Sequence, residues 1–85
     1  MKTFAYTIKD ELGIHARPAG LMVKAVKGFS SEITIAKNGK TASAKKLMAL
    51  MGLGVKCGDE IQITVEGADE DQAAAAVQEF LAANL

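Results

Sequence analysis

The sequence predicts an α+β fold of four strands and three helices in the order β-α-β-β-α-β-α. Three observations predict it. Apolar and polar residues alternate in the strand stretches, a 3.6-residue period takes over in the segments between them, and Asn38-Gly39 marks a tight hairpin. Four strands with one apolar face each need cover, and the helices supply it from one side.

Lys2 to Ile8 sets Phe4, Tyr6 and Ile8 against Thr3, Ala5 and Thr7, the pattern of a half-buried strand. A polar connection, Lys9 to Leu12, leads to Gly13, which relaxes the backbone before His15. Over about Ala16 to Lys27, Ala19, Met22, Val23 and Val26 fall at helical spacing and form a core stripe. Arg17, Leu21, Lys24 and Lys27 lie close to another face, and Gly28 is a natural stop. Pro18 is tolerated in the first helical turn, where amide donors lack intrahelical partners. The residue before a proline avoids the α region, which makes Arg17 a boundary residue.

Alternation returns in Ser31 to Ala36 through Ile33 and Ile35, and a strand from Lys40 to about Ser43 pairs back across the Asn38-Gly39 turn. Lys45 to Met51 reads as a brief helix carrying Leu47, Leu50 and Met51, ended by Gly52 and Gly54. Glu60 to Glu66 is the last strand, with Ile61, Ile63 and Val65 inward. Asp69 and Gln72 form a capping-box pattern ahead of the final helix, whose buried stripe is Ala73, Val77, Phe80 and Leu81.

The candidate site is Gly13-Ile14-His15-Ala16-Arg17-Pro18-Ala19-Gly20, which holds the only histidine and the only proline of the 85 residues. A lone histidine is commonly structural. This one starts a helix, where free N–H groups and the macrodipole favour an anion, beside a cation and among small residues. Both features disfavour imidazolium, keeping one ring nitrogen free to attack, and both then favour a doubly charged product.

G-I-H-A-R-P-A, the K-N-G-K turn and the A-K-K-L-M-A-L-M segment together resemble HPr, the histidine-containing phosphocarrier family of the bacterial sugar phosphotransferase system. The resemblance runs over nearly the whole chain. It implies an open-faced β-sandwich: a four-stranded antiparallel sheet covered on one face by three helices, as a single domain over residues 1–85. It further implies that His15 takes a phosphoryl group on Nδ1 (a pros-phosphohistidine) from phosphorylated Enzyme I, whose donor is phosphoenolpyruvate. The group then passes to EIIA domains of sugar permeases. Arg17 matches the arginine that contacts the phosphate, and the backbone N–H groups of Ala16 and Arg17 are the expected donors to it. Such transfer asks for alignment and charge stabilisation rather than acid–base machinery, so a carrier and not an independent enzyme is expected.

Leu21, Lys24, Lys27, Leu47, Met48 and Met51 are the candidate partner-binding residues, the lysines facing acidic rims and the apolar side chains forming a centre. Methionine suits surfaces that fit several partners. Met48 is expected exposed and Met51 partly buried. One departure stands out. Many HPr proteins carry a serine at the start of the short helix, phosphorylated in some members by an ATP-dependent kinase, and here that position is Lys46. The regulatory hydroxyl is absent, and two lysines in that first turn would oppose the dipole.

Composition sets the remaining bounds. Net charge is zero, with Arg17, Lys24, Lys27, Lys40, Lys45 and Lys46 early and Asp59, Glu60, Glu66, Asp69, Glu70, Asp71 and Glu79 late. That separation fits a basic face for acidic partners, and lacks the large basic excess of a nucleic-acid binder. Three Phe and one Tyr are too few to suggest a base-stacking RNA platform. Cys57 is single, which leaves no intramolecular disulfide, and no second histidine or cysteine offers a metal site. No cofactor is expected. No apolar run nears the ~20 residues of a membrane span, and a cytoplasmic monomer is expected. Two other readings stay open: a carrier of the nitrogen-related branch of the phosphotransferase system, and a non-catalytic regulatory α/β module.

Overall fold

Side-chain alternation builds β1 (Lys2–Thr7), β2 (Glu32–Lys37), β3 (Lys40–Ser43) and β4 (Glu60–Glu66), and the 3.6-residue period builds α1 (Ala16–Val26), α2 (Leu47–Gly52) and α3 (Glu70–Asn84). The structure, a computed structural model, describes residues 1–11, 13–14 and 16–85. Leu12, at the end of the expected polar connection, and His15, the expected phosphoryl acceptor, lie outside the described residues.

The strands form one antiparallel sheet in the order β1-β4-β2-β3. Register sorts its two faces. Ile63 pairs with Phe4 on one side and Ile35 on the other, Ile61 with Tyr6, and Val65 with Ile33. These residues face the helices, and Ile33, Ile35, Ile61, Ile63 and Val65 are fully buried. The opposite face carries a row of hydroxyls, since Thr64 pairs with Thr3 and Thr34, and Thr34 with Ser43. That face stays open, so the architecture is the open-faced sandwich expected. At the hairpin, Asn38 and Gly39 have φ of 50° and 84°, both positive as a two-residue turn of this kind requires.

The core closes with Ala19, Met22 and Val26 of α1, Leu50 of α2, and Ala73, Val77 and Leu81 of α3. Pro18 is buried beside them, and Val23 and Phe80 pack from its edge. The Tyr6 hydroxyl donates to the Leu81 carbonyl at 3.0 Å, which ties β1 to α3 and satisfies the phenol. Leu85, beyond α3, is buried, and its carbonyl accepts from the amides of Lys9 and Asp10 at 2.6 and 2.9 Å.

Two expectations need correction. The short helix begins at Leu47 rather than Lys45, so neither lysine stands in its first turn. Lys45 is held in the preceding turn instead, its amide bonded to Ser43 Oγ at 3.2 Å and its Nζ to the Phe29 carbonyl at 2.6 Å. Lys46 takes the N-cap position with extended backbone (φ −119°, ψ 109°) and makes no side-chain cap. The expected opposition between two ammonium groups and the dipole is therefore relieved by moving both out of the helix. At the other end Gly52 is still helical, and the chain leaves the helix at Gly54, with φ of 65°.

The second correction concerns Asp69. It occupies the N-cap of α3, but its carboxylate makes no cap bond. It accepts from the amides of Ser30 and Ser31, each at 2.9 Å, and from the Ser31 hydroxyl. Ser31 is fully buried between α1 and β2, and its polar groups must find a partner, so the tertiary contact prevails over the local cap. The Ser31 hydroxyl, followed by the Ser30 amide, holds the Asp69 carboxyl down at about 2, below its ordinary 3.8. A carboxyl with a depressed folded-state pKa stabilises the fold above its ordinary value and loses that stabilisation as pH falls through the folded value. The expected result is an acid-sensitive contribution lost between about pH 4 and pH 2, read by urea melts across that range, and flattened in Asp69→Asn. Ser31→Ala should cost about 2 kcal/mol at neutral pH in the same assay, the range for a hydrogen bond to a charged group.

Candidate functional site

The site is assembled around the approach to α1. Gly13 has φ of 67°, in the left-handed region, and is buried. A Cβ at that position would lie 2.2 Å from the Val55 carbonyl oxygen and 2.7 Å from Lys56 Cα, so only glycine fits. The Gly13 amide closes a turn to the Asp10 carbonyl at 3.0 Å, and the Ile14 amide bonds the Val55 carbonyl at 3.1 Å. Ile14 itself is buried, as are Val55 and Leu53. The segment between α2 and β4 thus forms a shelf under the residues that lead into His15.

Immediately after His15, Ala16 and Arg17 open α1 and are exposed. As first-turn residues their N–H groups have no intrahelical acceptor, and they point out of the helix start, where an anion is favoured. Pro18 supplies no competing donor, and its burial with Ala19 anchors this turn to the core. Arg17, Leu21 and Lys24 recur along one face of α1 at helical spacing, and all three are exposed, Leu21 at 42%. Lys27 lies just past the helix and is also exposed. Among the described residues, none of Arg17, Lys24, Lys27 and Lys46 forms an ion pair.

α2 packs beside α1 and turns only Leu50 fully inward. Met48 is 78% exposed, and Leu47 and Met51 each exceed a third. Met48 is therefore exposed as expected, and Met51 is shielded by more than half. The two neighbouring helices leave outside an apolar group, Leu21, Leu47, Met48 and Met51, accompanied by Arg17, Lys24, Lys27 and Lys46. Clustered exposed apolar residues with a charged rim are the ordinary makeup of a docking surface.

Three further residues in or beside the shelf segment escape sequence reasoning, and only one of them carries a signal. Val55 acts through its backbone carbonyl, which any residue type provides. Asp59 sits in the Lys56-Cys57-Gly58-Asp59 turn, where its carboxylate accepts from the Lys56 amide at 2.8 Å. Lys37 continues the inward-facing alternation of Ile33 and Ile35, and a charged residue in that position was the available signal. Cys57 is exposed in the same turn, its thiol 3.8 Å from the Lys9 carbonyl. Among the described residues there is no cluster of potential metal ligands and no helix long and apolar enough to cross a membrane.

The family described as the PTS HPr component phosphorylation site matches residues 2–83. The chain is 42% identical over 81 residues to the phosphocarrier protein HPr of Mycoplasma capricolum subsp. capricolum, covering 95% of this chain and 91% of that protein. It is 39% identical over 83 residues to the multiphosphoryl transfer protein of Escherichia coli O157:H7, covering 94% of this chain and 22% of that protein. The crystal structure of HPr-C-His from Thermoanaerobacter tengcongensis superposes with a TM-score of 0.92 at 38% identity, over 98% of this chain and 93% of that one.

Proposed function

Because the chain belongs to the HPr family of phosphotransferase-system phosphocarriers, we propose that His15 accepts a phosphoryl group on Nδ1 from phosphorylated Enzyme I and surrenders it to EIIA domains of sugar permeases. The observation that carries this reading is the exposed pair Ala16 and Arg17 that opens α1, directly after His15 in the sequence, in a chain matched to the family over residues 2–83. The Nδ1 lone pair forms the new N–P bond as the bond from phosphorus to the donor breaks. Amides of Ala16 and Arg17 and the Arg17 guanidinium stabilise the phosphoryl oxygens during and after transfer. The chain needs no cofactor and works in the cytoplasm, where Enzyme I and phosphoenolpyruvate meet it. The E. coli relative, named for multiple phosphoryl transfers, supports a place in a relay.

The experiment is incubation with Enzyme I and phosphoenolpyruvate, followed by peptide mapping. One acid-labile, base-stable phosphoryl group on His15 is expected, and an unmodified chain rejects the proposal. Both partners dock on the face formed by Leu21, Leu47, Met48 and Met51 with its basic rim. Lys46 leaves that face without a hydroxyl to phosphorylate at this position. Met48→Glu should weaken docking by roughly 30-fold, within the range for a central apolar contact, and leave the melting temperature unchanged because the side chain is outside the core. Titration calorimetry against Enzyme I and a melting curve read the two effects separately.

A further inference from the structure

Lys37 closes β2, and the strand's alternation turns it toward the helix side of the sheet, in line with Ile33 and Ile35. Its ammonium leaves the apolar layer at the sheet's end and is met there by two acceptors. Nζ donates to the Gly54 carbonyl at 2.8 Å and lies 2.9 Å from Asp59 Oδ2. That same oxygen accepts from the Lys56 amide. The two side chains are only 16% and 33% exposed, so the pair is better shielded than an ordinary surface ion pair.

These contacts grip the segment from Gly54 to Asp59 at both ends. Its middle holds the Val55 carbonyl, which receives the Ile14 amide and abuts Gly13. The β4 end is fixed independently, with the Ile8 amide on the Asp59 carbonyl at 2.9 Å and the Gly58 amide on the Ile8 carbonyl at 2.8 Å. At the Gly54 end the backbone contact is to the helix just left, with the Gly54 amide on the Met51 carbonyl at 3.3 Å. Gly54 follows the helix in a left-handed conformation, and Lys37 is the side chain that holds its carbonyl.

We propose that Lys37 and Asp59 are positioning residues for transfer at His15: their ion pair sets the 54–59 segment and, through the Val55 carbonyl, the Gly13-Ile14 step that precedes His15 in the chain. The proposal rests on the carrier reading above. Neither residue touches phosphate. They govern how well the acceptor is aligned, a factor to which in-line transfer is sensitive.

The test uses the full chain with Enzyme I and phosphoenolpyruvate, comparing wild type, Lys37→Met, Asp59→Asn and Lys37→Arg. Removing either charge should lower the maximal transfer rate about three- to tenfold, with KM for the carrier unchanged because the docking face is elsewhere. Hydrogen exchange at the Ile14 amide should speed up about tenfold in the same two variants, and Lys37→Arg should restore both. Ser31→Ala serves as a destabilised control remote from the clamp. Unchanged Ile14 exchange in Lys37→Met and Asp59→Asn overturns the proposal, as does an equal loss of rate in Ser31→Ala. Exchange is read on unphosphorylated protein, so a wild type that takes up no phosphate sinks only the carrier reading, and Ile14 still decides the clamp.

Discussion

Replacing His15 with alanine should abolish phosphoryl uptake from Enzyme I while leaving a folded protein. The chain has no second imidazole, and its lysine and arginine nitrogens are protonated near neutral pH, so no other side chain offers a free nitrogen lone pair for the high-energy N–P bond that a reversible relay needs. A hydroxyl would hold phosphate as a stable ester, and the lone thiol, Cys57, sits exposed in the Lys56–Asp59 turn rather than at the start of α1. Loss in the alanine variant is therefore expected to be complete within detection. Arg17→Ala should be a partial lesion by contrast, slowing transfer by roughly 10- to 100-fold, because first-turn amides still offer donors to the phosphoryl oxygens. Rapid-quench measurement with radiolabelled phosphoenolpyruvate distinguishes a dead acceptor from a slow one, and near-normal transfer by the alanine variant would remove His15 from the mechanism.

Gly13→Ala should have the largest effect on folding among single-methyl additions. The new Cβ would collide with a carbonyl oxygen and a Cα, both backbone atoms that cannot rotate aside. The left-handed conformation adds a penalty of about 1–2 kcal/mol for any residue with a Cβ, and forced overpacking adds about 1–3 kcal/mol more. A total near 3 kcal/mol is expected in urea unfolding. Relief is available only by parting Gly13 from Val55, which breaks the Ile14 hydrogen bond. Phosphoryl transfer should then fall further than the melting temperature alone accounts for. A variant of wild-type stability would show that the close approach is not maintained in solution.

Local pattern and tertiary demand divide what the residues alone reveal. β4 runs from Glu60 to Glu66, as its alternation requires, because the period of a half-buried strand is written in its own side chains, and β3, Lys40 to Ser43, follows from the hairpin turn before it. The Asn38-Gly39 turn is equally local. Asp69 is not. Its place before a helix, with Gln72 three residues on, suits a capping box, and only the buried serine 38 residues away explains why the carboxylate points elsewhere. The start of α2 follows the same logic, since Lys45 is drawn back by a carbonyl 16 residues distant.

The proposed site divides likewise. Its chemistry is local, one imidazole followed by a helix start, and the resemblance to a family is carried by the octapeptide together with the K-N-G-K turn and the A-K-K-L-M-A-L-M segment. The shelf beneath that octapeptide is not local. It depends on a carbonyl at Val55, whose side chain advertises only burial, and on Lys37, which looks like a misplaced charge until its two acceptors are seen. The lysines preceding α2 carry a similar lesson: Lys45 is held by the Phe29 carbonyl, and Lys46 is exposed.

The row of threonines across the uncovered side of the sheet bears on traffic rather than on chemistry. Threonine keeps the branched shape strands favour while presenting water with something to hold, so the reverse of the molecule offers little grip to oily surfaces. On the proposed reading, a carrier that must leave each partner as readily as it arrives benefits from confining its apolar contact area to one side. Repainting that row with valine should turn brief calls into lingering ones, and self-association would be the first symptom.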